Sequence, residues 1–127
     1  MIKEIQSLNN PYIKDLSKLK EKKYRLLNQK YIIEGYHLVF EASKKGVLKE
    51  VLFVDEKDLI GINKDVNFVK VNKDIINKLS DTTNPQSIIG ICEMKDVDVC
   101  YDNHNHILVL DGINDPGNLG TLIRSAL

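Results

Sequence analysis

Ile88-Ile89-Gly90-Ile91-Cys92 is an unbroken run of apolar and small residues that follows the turn-rich Asp81-Thr82-Thr83-Asn84-Pro85-Gln86-Ser87. Such a run, without the alternation of a half-solvated strand, fits a central strand covered on both faces. Working upstream, Asn72 stands where it can cap a helix over Lys73 to Ser80, with Ile75, Ile76 and Leu79 at core-facing spacing. Asn67 to Val71 reads as a strand whose apolar pair is Phe68 and Val69, and Asp55 to Ile60 as a short helix or turn closed by Gly61. Glu50 to Val54 is a further strand, preceded by a helix from Tyr36 to Lys45 that Gly46 ends. Tyr31-Ile32-Ile33 is a short strand running into Glu34-Gly35. Strands alternating with helices imply an α/β domain with a parallel or mixed sheet.

The first thirty residues have a different character. Asn9-Asn10-Pro11 is a helix start, an Asn able to cap followed by Pro where a missing N–H costs nothing. The spacing predicts one helix from there to about Leu27. On it Tyr12, Ile13, Leu16, Leu19, Leu26 and Leu27 gather on one side, and Lys14, Lys18, Lys22 and Arg25 form a basic stripe opposite. The whole chain has 18 Lys and Arg against 18 Asp and Glu. Residues 1–30 nevertheless hold eight basic and three acidic residues, a net +5, which leaves −5 on the other 97. A basic head on an acidic body suits a polyanion touching one end, with nucleic acid the obvious candidate. Spacing alone does not separate that use from a merely solvated lysine face.

With 127 residues, 43% apolar and 28% charged, the composition is that of a globular domain and excludes disordered, collagen-like and membrane classes. No apolar run reaches membrane-spanning length and the N-terminus lacks a signal-peptide core, so the expected location is cytoplasmic. Cys92 and Cys100 match neither a zinc nor a redox spacing and read as free thiols. Cys100, His104 and His106 form a weak metal candidate without a fourth ligand, and no metal is expected. His37 reads as a surface or partly packed side chain.

Downstream, Lys95 to Asn105 is polar and reads as a linker. Ile107 to Leu110 then reads as a new, fully apolar strand leading into Asp111-Gly112-Ile113-Asn114-Asp115-Pro116-Gly117-Asn118-Leu119-Gly120, with a helix beginning near Thr121. Glycines at 117 and 120 allow close backbone approach, and a helix start favours anions. Arg124, one turn further, can fork onto a phosphate or carboxylate beside the loop. The loop is neither a Walker A sequence nor a complete dinucleotide fingerprint. The helix carries no stop signal, so the last stretch reads as a βα unit cut short.

Asp115-Pro116-Gly117-Asn118-Leu119-Gly120-Thr121-Leu122-Ile123-Arg124-Ser125-Ala126, following a strand that ends in Leu110-Asp111, resembles the first motif of the SpoU family of RNA ribose 2′-O-methyltransferases. Ile5, Ser7, Asn9-Asn10, Ile13-Lys14, Leu19 and Arg25, then Ile33-Glu34-Gly35, Glu41-Ala42 and Thr83-Asn84-Pro85-Gln86, resemble the substrate-binding domain that precedes it. Ser87 stands where Gly is more usual and Ser125 where Thr is frequent.

The resemblance implies a three-layer α/β/α sandwich with a mixed sheet, similar to ribosomal-protein and kink-turn binders, over residues 1–94. A linker at 95–105 and the opening of a knotted methyltransferase domain at 106–127 would follow. It further implies RNA recognition, rRNA or tRNA, for which the basic stripe of Lys14, Lys18, Lys22 and Arg25 is the candidate surface, and active-site roles for Arg124 and Asn118, the Arg engaging phosphate and helping activate the ribose 2′-hydroxyl. S-adenosylmethionine is the family's cofactor, held by later motifs outside these residues. None is therefore expected on this chain, which is expected to be inactive alone. Whole family members pair as homodimers. Glu34 reads as fixing a backbone turn. The alternative from another class is a non-catalytic RNA-binding module of ribosomal-protein type, which has no use for the motif at 115–124. A phosphate- or nucleotide-binding domain lacks the accompanying ligands.

Overall fold

The computed structural model describes residues 2–96 and 106–126 and divides into two compact units, Met1–Asp96 and Val97–Leu127. In the first unit the elements are β1 (Lys3–Glu4), α1 (Pro11–Ser17), α2 (Lys22–Asn28), β2 (Lys30–Glu34), α3 (Tyr36–Lys45), β3 (Leu48–Phe53), β4 (Asn67–Lys70), α4 (Lys73–Leu79) and β5 (Ile88–Glu93). Single 3₁₀ turns lie at Lys18–Lys20 and Glu56–Leu59. The strands form one mixed sheet in the order β1-β4-β3-β5-β2, with β1, β4 and β3 parallel and β5 antiparallel to both its neighbours.

β5 is central, as its unbroken apolar run requires, and its side chains alternate between two cores. Ile89 and Ile91 pack with Leu52, Val69 and the inward residues of α1 and α4; Ile88 and Cys92 pack with Val51, Phe53 and Val39 of α3. Helices on both faces make the expected three-layer α/β/α sandwich. Gly90 lies where α3 crosses: a Cβ there would stand 2.8 Å from Leu48 Cδ1, 2.9 Å from Ile33 Cγ1 and 3.1 Å from Val39 Cγ2. An irregularity in β3 between Leu48 and Glu50 sets two β3 positions against adjacent residues of β5. Leu48 and Val51 both join the core under α3, while Glu50 turns to the α1 face.

The caps behave as local chemistry demands. Asn10 accepts from the Tyr12 N–H at 2.9 Å, Asn72 accepts from the Ile75 N–H at 3.0 Å, and α3 ends at Gly46 in the left-handed conformation.

Two expectations are corrected in this unit. The single helix from Pro11 to Leu27 is broken: α1 stops at Ser17, whose hydroxyl donates back to the Lys14 carbonyl at 2.7 Å, and Glu21 is extended before α2 begins. The carbonyls freed by the break are taken by Arg25, whose Nη1 donates to Leu19 O at 3.0 Å and Lys20 O at 2.7 Å. Ile13, Leu16 and Leu19 are buried as expected, but the restarted helix buries nothing, and Leu26 and Leu27 are 53% and 72% exposed. The short edge strand β1 carries no sequence pattern and was not expected.

In the second unit, Ile107 to Leu110 forms no strand and is exposed, because a strand exists only as a paired ladder and no partner stands beside it among the unit's described residues. α5 runs Pro116–Ala126, five residues earlier than expected. Asp115 accepts from the Gly117 N–H at 2.8 Å and Pro116 takes the first helical position, repeating the Asn10-Pro11 arrangement.

Candidate nucleic-acid interface

The basic residues of the N-terminal segment lie on three short elements rather than one stripe: Lys14 on α1, Lys18 on the 3₁₀ turn, Lys22 and Arg25 on α2. Lys14, Lys18 and Lys22 are exposed. Arg25 is half-buried and committed to the two carbonyls of the break. Lys20 is likewise engaged, donating to the Ser80 carbonyl at 3.1 Å beside Asp81 at 3.6 Å.

Aromatic side chains are interleaved with these cations. The Tyr24 ring has Lys18 Nζ at 5.7 Å and Lys23 Nζ at 5.5 Å from its centroid, and Lys3 Nζ lies 5.8 Å from that of Tyr12. The Tyr12 hydroxyl donates to Glu50 Oε2, and Lys30 Nζ lies 3.9 Å from Glu50 Oε1. Burial and the adjacent carboxylate hold the Tyr12 hydroxyl well above its ordinary range, so it stays a proton donor. The sequence pattern points to the lysines but not to Tyr12, Tyr24 or Glu50, which the structure brings beside them. The Lys23-Tyr24-Arg25 interleaving was a readable signal for Tyr24; nothing local announces a contact between Tyr12 and Glu50, 38 residues apart.

At the end of β2, Glu34 fixes the loop that leads towards β5. Its Oε1 accepts from the Ser80 hydroxyl and its Oε2 from the Asp81 N–H at 3.1 Å, while the Ser80 Oγ accepts from the Thr82 N–H at 3.0 Å. Gln86 Oε1 accepts from the Tyr36 N–H at 3.1 Å and so holds the start of α3. Glu34 thus has the turn-fixing role expected of it, and Ile33-Glu34-Gly35 and Thr83-Asn84-Pro85-Gln86 form one connected loop cluster.

In the second unit, Arg124 folds back along α5. Its Nη1 lies 3.3 Å from where a Gly120 Cβ would stand, and its Nη2 is 3.5 Å from Thr121 Oγ1. The guanidinium therefore lies along the middle of the helix, over Gly120 and Thr121. Asn118, six residues earlier on the same helix, is exposed.

His37 and His106 are exposed, and Cys92 is a buried free thiol. Cys100 and His104 lie outside the described residues. Among the described residues no group of three or more His, Cys, Asp or Glu is placed to hold a metal, and no helix is long and apolar enough to cross a membrane.

The family profile described as the MRM3-like substrate binding domain matches residues 10–90. The chain belongs to the MRM3-like substrate-binding family. Over 98% of its length this MRM3-like chain is 35% identical to the 23S rRNA (guanosine(2553)-2′-O)-methyltransferase RlmP of Bacillus subtilis, of which it covers 50%. It is 34% identical to the mitochondrial rRNA methyltransferase 3 of Mus musculus, with 85% of the chain and 29% of that protein aligned. Among solved structures, the AdoMet-bound rRNA methyltransferase from Sinorhizobium meliloti matches with a TM-score of 0.74 and 30% identity, covering 98% of this chain and 50% of that one. The chain spans half or less of the length of these relatives. The SpoU-type resemblance of its motifs and the α/β fold expected from it are both borne out.

Proposed function

We propose that this chain is the N-terminal part of an S-adenosylmethionine-dependent rRNA ribose 2′-O-methyltransferase acting in the cytoplasm, and that residues 1–94 recognise the RNA. The observation that carries the reading is the extent of the likeness to the Bacillus enzyme. It covers 98% of the chain and so continues through the loop and helix bearing Asn118 and Arg124, which a purely structural RNA binder does not need. In this reading Lys14, Lys18 and Lys22 meet phosphates, residues 95–105 link, and residues 106–127 open the catalytic domain. Arg124 there neutralises charge as the 2′-hydroxyl loses its proton, and Asn118 contributes to the same active site. The whole protein works as a homodimer.

Residues 106–126 enclose no cavity that would fit S-adenosylmethionine, since none of them is buried.

Ribose methylation mapped in total RNA from cells deleted for the gene tests the reading. The expected result is the loss of a single 2′-O-methyl group from rRNA. An unchanged rRNA methylation map, or a loss confined to tRNA, contradicts it.

A further inference from the structure

A groove of about 720 Å³ opens beside α1 and α2, lined among others by Tyr12, Leu16, Lys18, Tyr24, Leu27 and Glu50. Resting on the reading that this face binds RNA, we propose that the groove takes one unpaired RNA nucleotide. Its base stacks on Tyr24, and its flanking phosphates lie on Lys18, Lys23 and Lys30.

The lining has the chemistry of a nucleotide rather than of a phosphate chain alone. Leu27 is 72% exposed on a helix that buries none of its residues, so the groove presents apolar surface with nothing over it, next to a half-buried tyrosine ring. Nucleobases have apolar faces and stack on such rings without regard to sequence. The two ammonium groups at 5.7 and 5.5 Å from the Tyr24 centroid sit on flexible stems. A base taking one face displaces an ammonium by a few ångströms and leaves it within reach of the adjoining phosphate. Glu50 sets the orientation. Its side chain is only 16% exposed and is held by the Tyr12 hydroxyl, with Lys30 at 3.9 Å. Of the two lining carboxylates, Asp15 is exposed at the rim and pairs with Lys18 at 3.6 Å, whereas the half-buried Glu50 repels phosphate from the interior and accepts N–H donors, so the base points inward and the phosphates stay at the lysine rim. The net charge of +5 over residues 1–30 complements such an occupant.

The test is fluorescence-anisotropy titration of the 127-residue chain with two labelled eight-nucleotide strands, one single-stranded RNA of mixed sequence and one of abasic ribose with the same charge. The wild type is expected to bind the RNA about tenfold more tightly than the abasic strand, and Tyr24→Ala to remove most of that difference while leaving abasic binding unchanged. Tyr24→Phe, which keeps the ring, is expected to bind as the wild type. Unaltered abasic binding shows that the Ala variant is folded. If the wild type binds both strands equally, or Tyr24→Ala keeps the difference, the nucleotide groove is wrong while RNA recognition stands. If neither strand binds, both fall. A dimer that Tyr24→Ala dissociates without affecting RNA binding would assign the groove to a second copy and overturn the proposal.

Discussion

Gly90 shows how little room the central strand leaves. Adding a methyl there would press on Leu48 and Ile33 within 3 Å and on Val39 of α3 just beyond, all three of them buried or half-buried. Gly90→Ala is therefore expected to cost about 1–3 kcal/mol by overpacking, read as a lower urea midpoint at unchanged slope. Two residues along the strand, burial pushes the Cys92 thiol up from 9.0 to about 11, and burial likewise raises Tyr31 opposite it. A group whose protonated form is favoured by folding contributes stability below its unfolded value and loses it as pH rises towards the folded one. Stability is therefore expected to fall between about pH 9 and 11. Cys92→Ala should flatten that fall, whatever it costs at neutral pH, and urea melts across this range check the difference. Gly90 was legible only as part of an apolar run, because the need for a missing side chain arises where α3 crosses the sheet.

At the scale of elements, the break between α1 and α2 is stabilised by one side chain. Arg25→Ala leaves the Leu19 and Lys20 carbonyls without their charged donor, at a partly exposed site. The expected loss is about 1–2 kcal/mol. Lys lacks the planar fork and should not restore it, whereas Lys14→Ala, Lys18→Ala and Lys22→Ala should each stay within about 0.5 kcal/mol. Thermal melts of the four variants separate structural from exposed cations. Local chemistry made much of this unit readable: Asn10, Asn72 and Gly46 announce their caps in three or four residues. The break left no such mark, since Leu16 and Leu19 keep core-facing spacing in a 3₁₀ turn as well as in a continuous helix, and the compensating guanidinium comes from the next element. For the same reason the lysines of the candidate interface could be named from sequence. The Tyr12 and Glu50 contact could not, because it depends on the register of β3 and its irregularity. Ile107 to Leu110 had the composition of a strand, but composition does not supply a neighbour to pair with.

For the whole molecule, a near-neutral chain concentrates a charge of +5 on its first 30 residues, the end at which a polyanion is proposed to bind. In the complete enzyme, Arg124→Ala is expected to lower kcat more than it raises KM, because its charge counts most when negative charge develops on the ribose oxygen; single-turnover and steady-state rates on the rRNA substrate check it. The claim that the N-terminal face recognises RNA is tested most directly by the salt dependence of RNA binding. Affinity of the chain for a single-stranded RNA is measured from low to moderate salt for the wild type and for the variant with Lys14, Lys18 and Lys22 all changed to Ala, with Arg25 left in place to keep the fold intact. Each phosphate contact adds roughly 0.7 to the slope of log affinity against log salt, so the triple variant is predicted to bind more weakly with a slope shallower by about 2. An identical slope in the two proteins would contradict the account and leave these lysines as solvated surface.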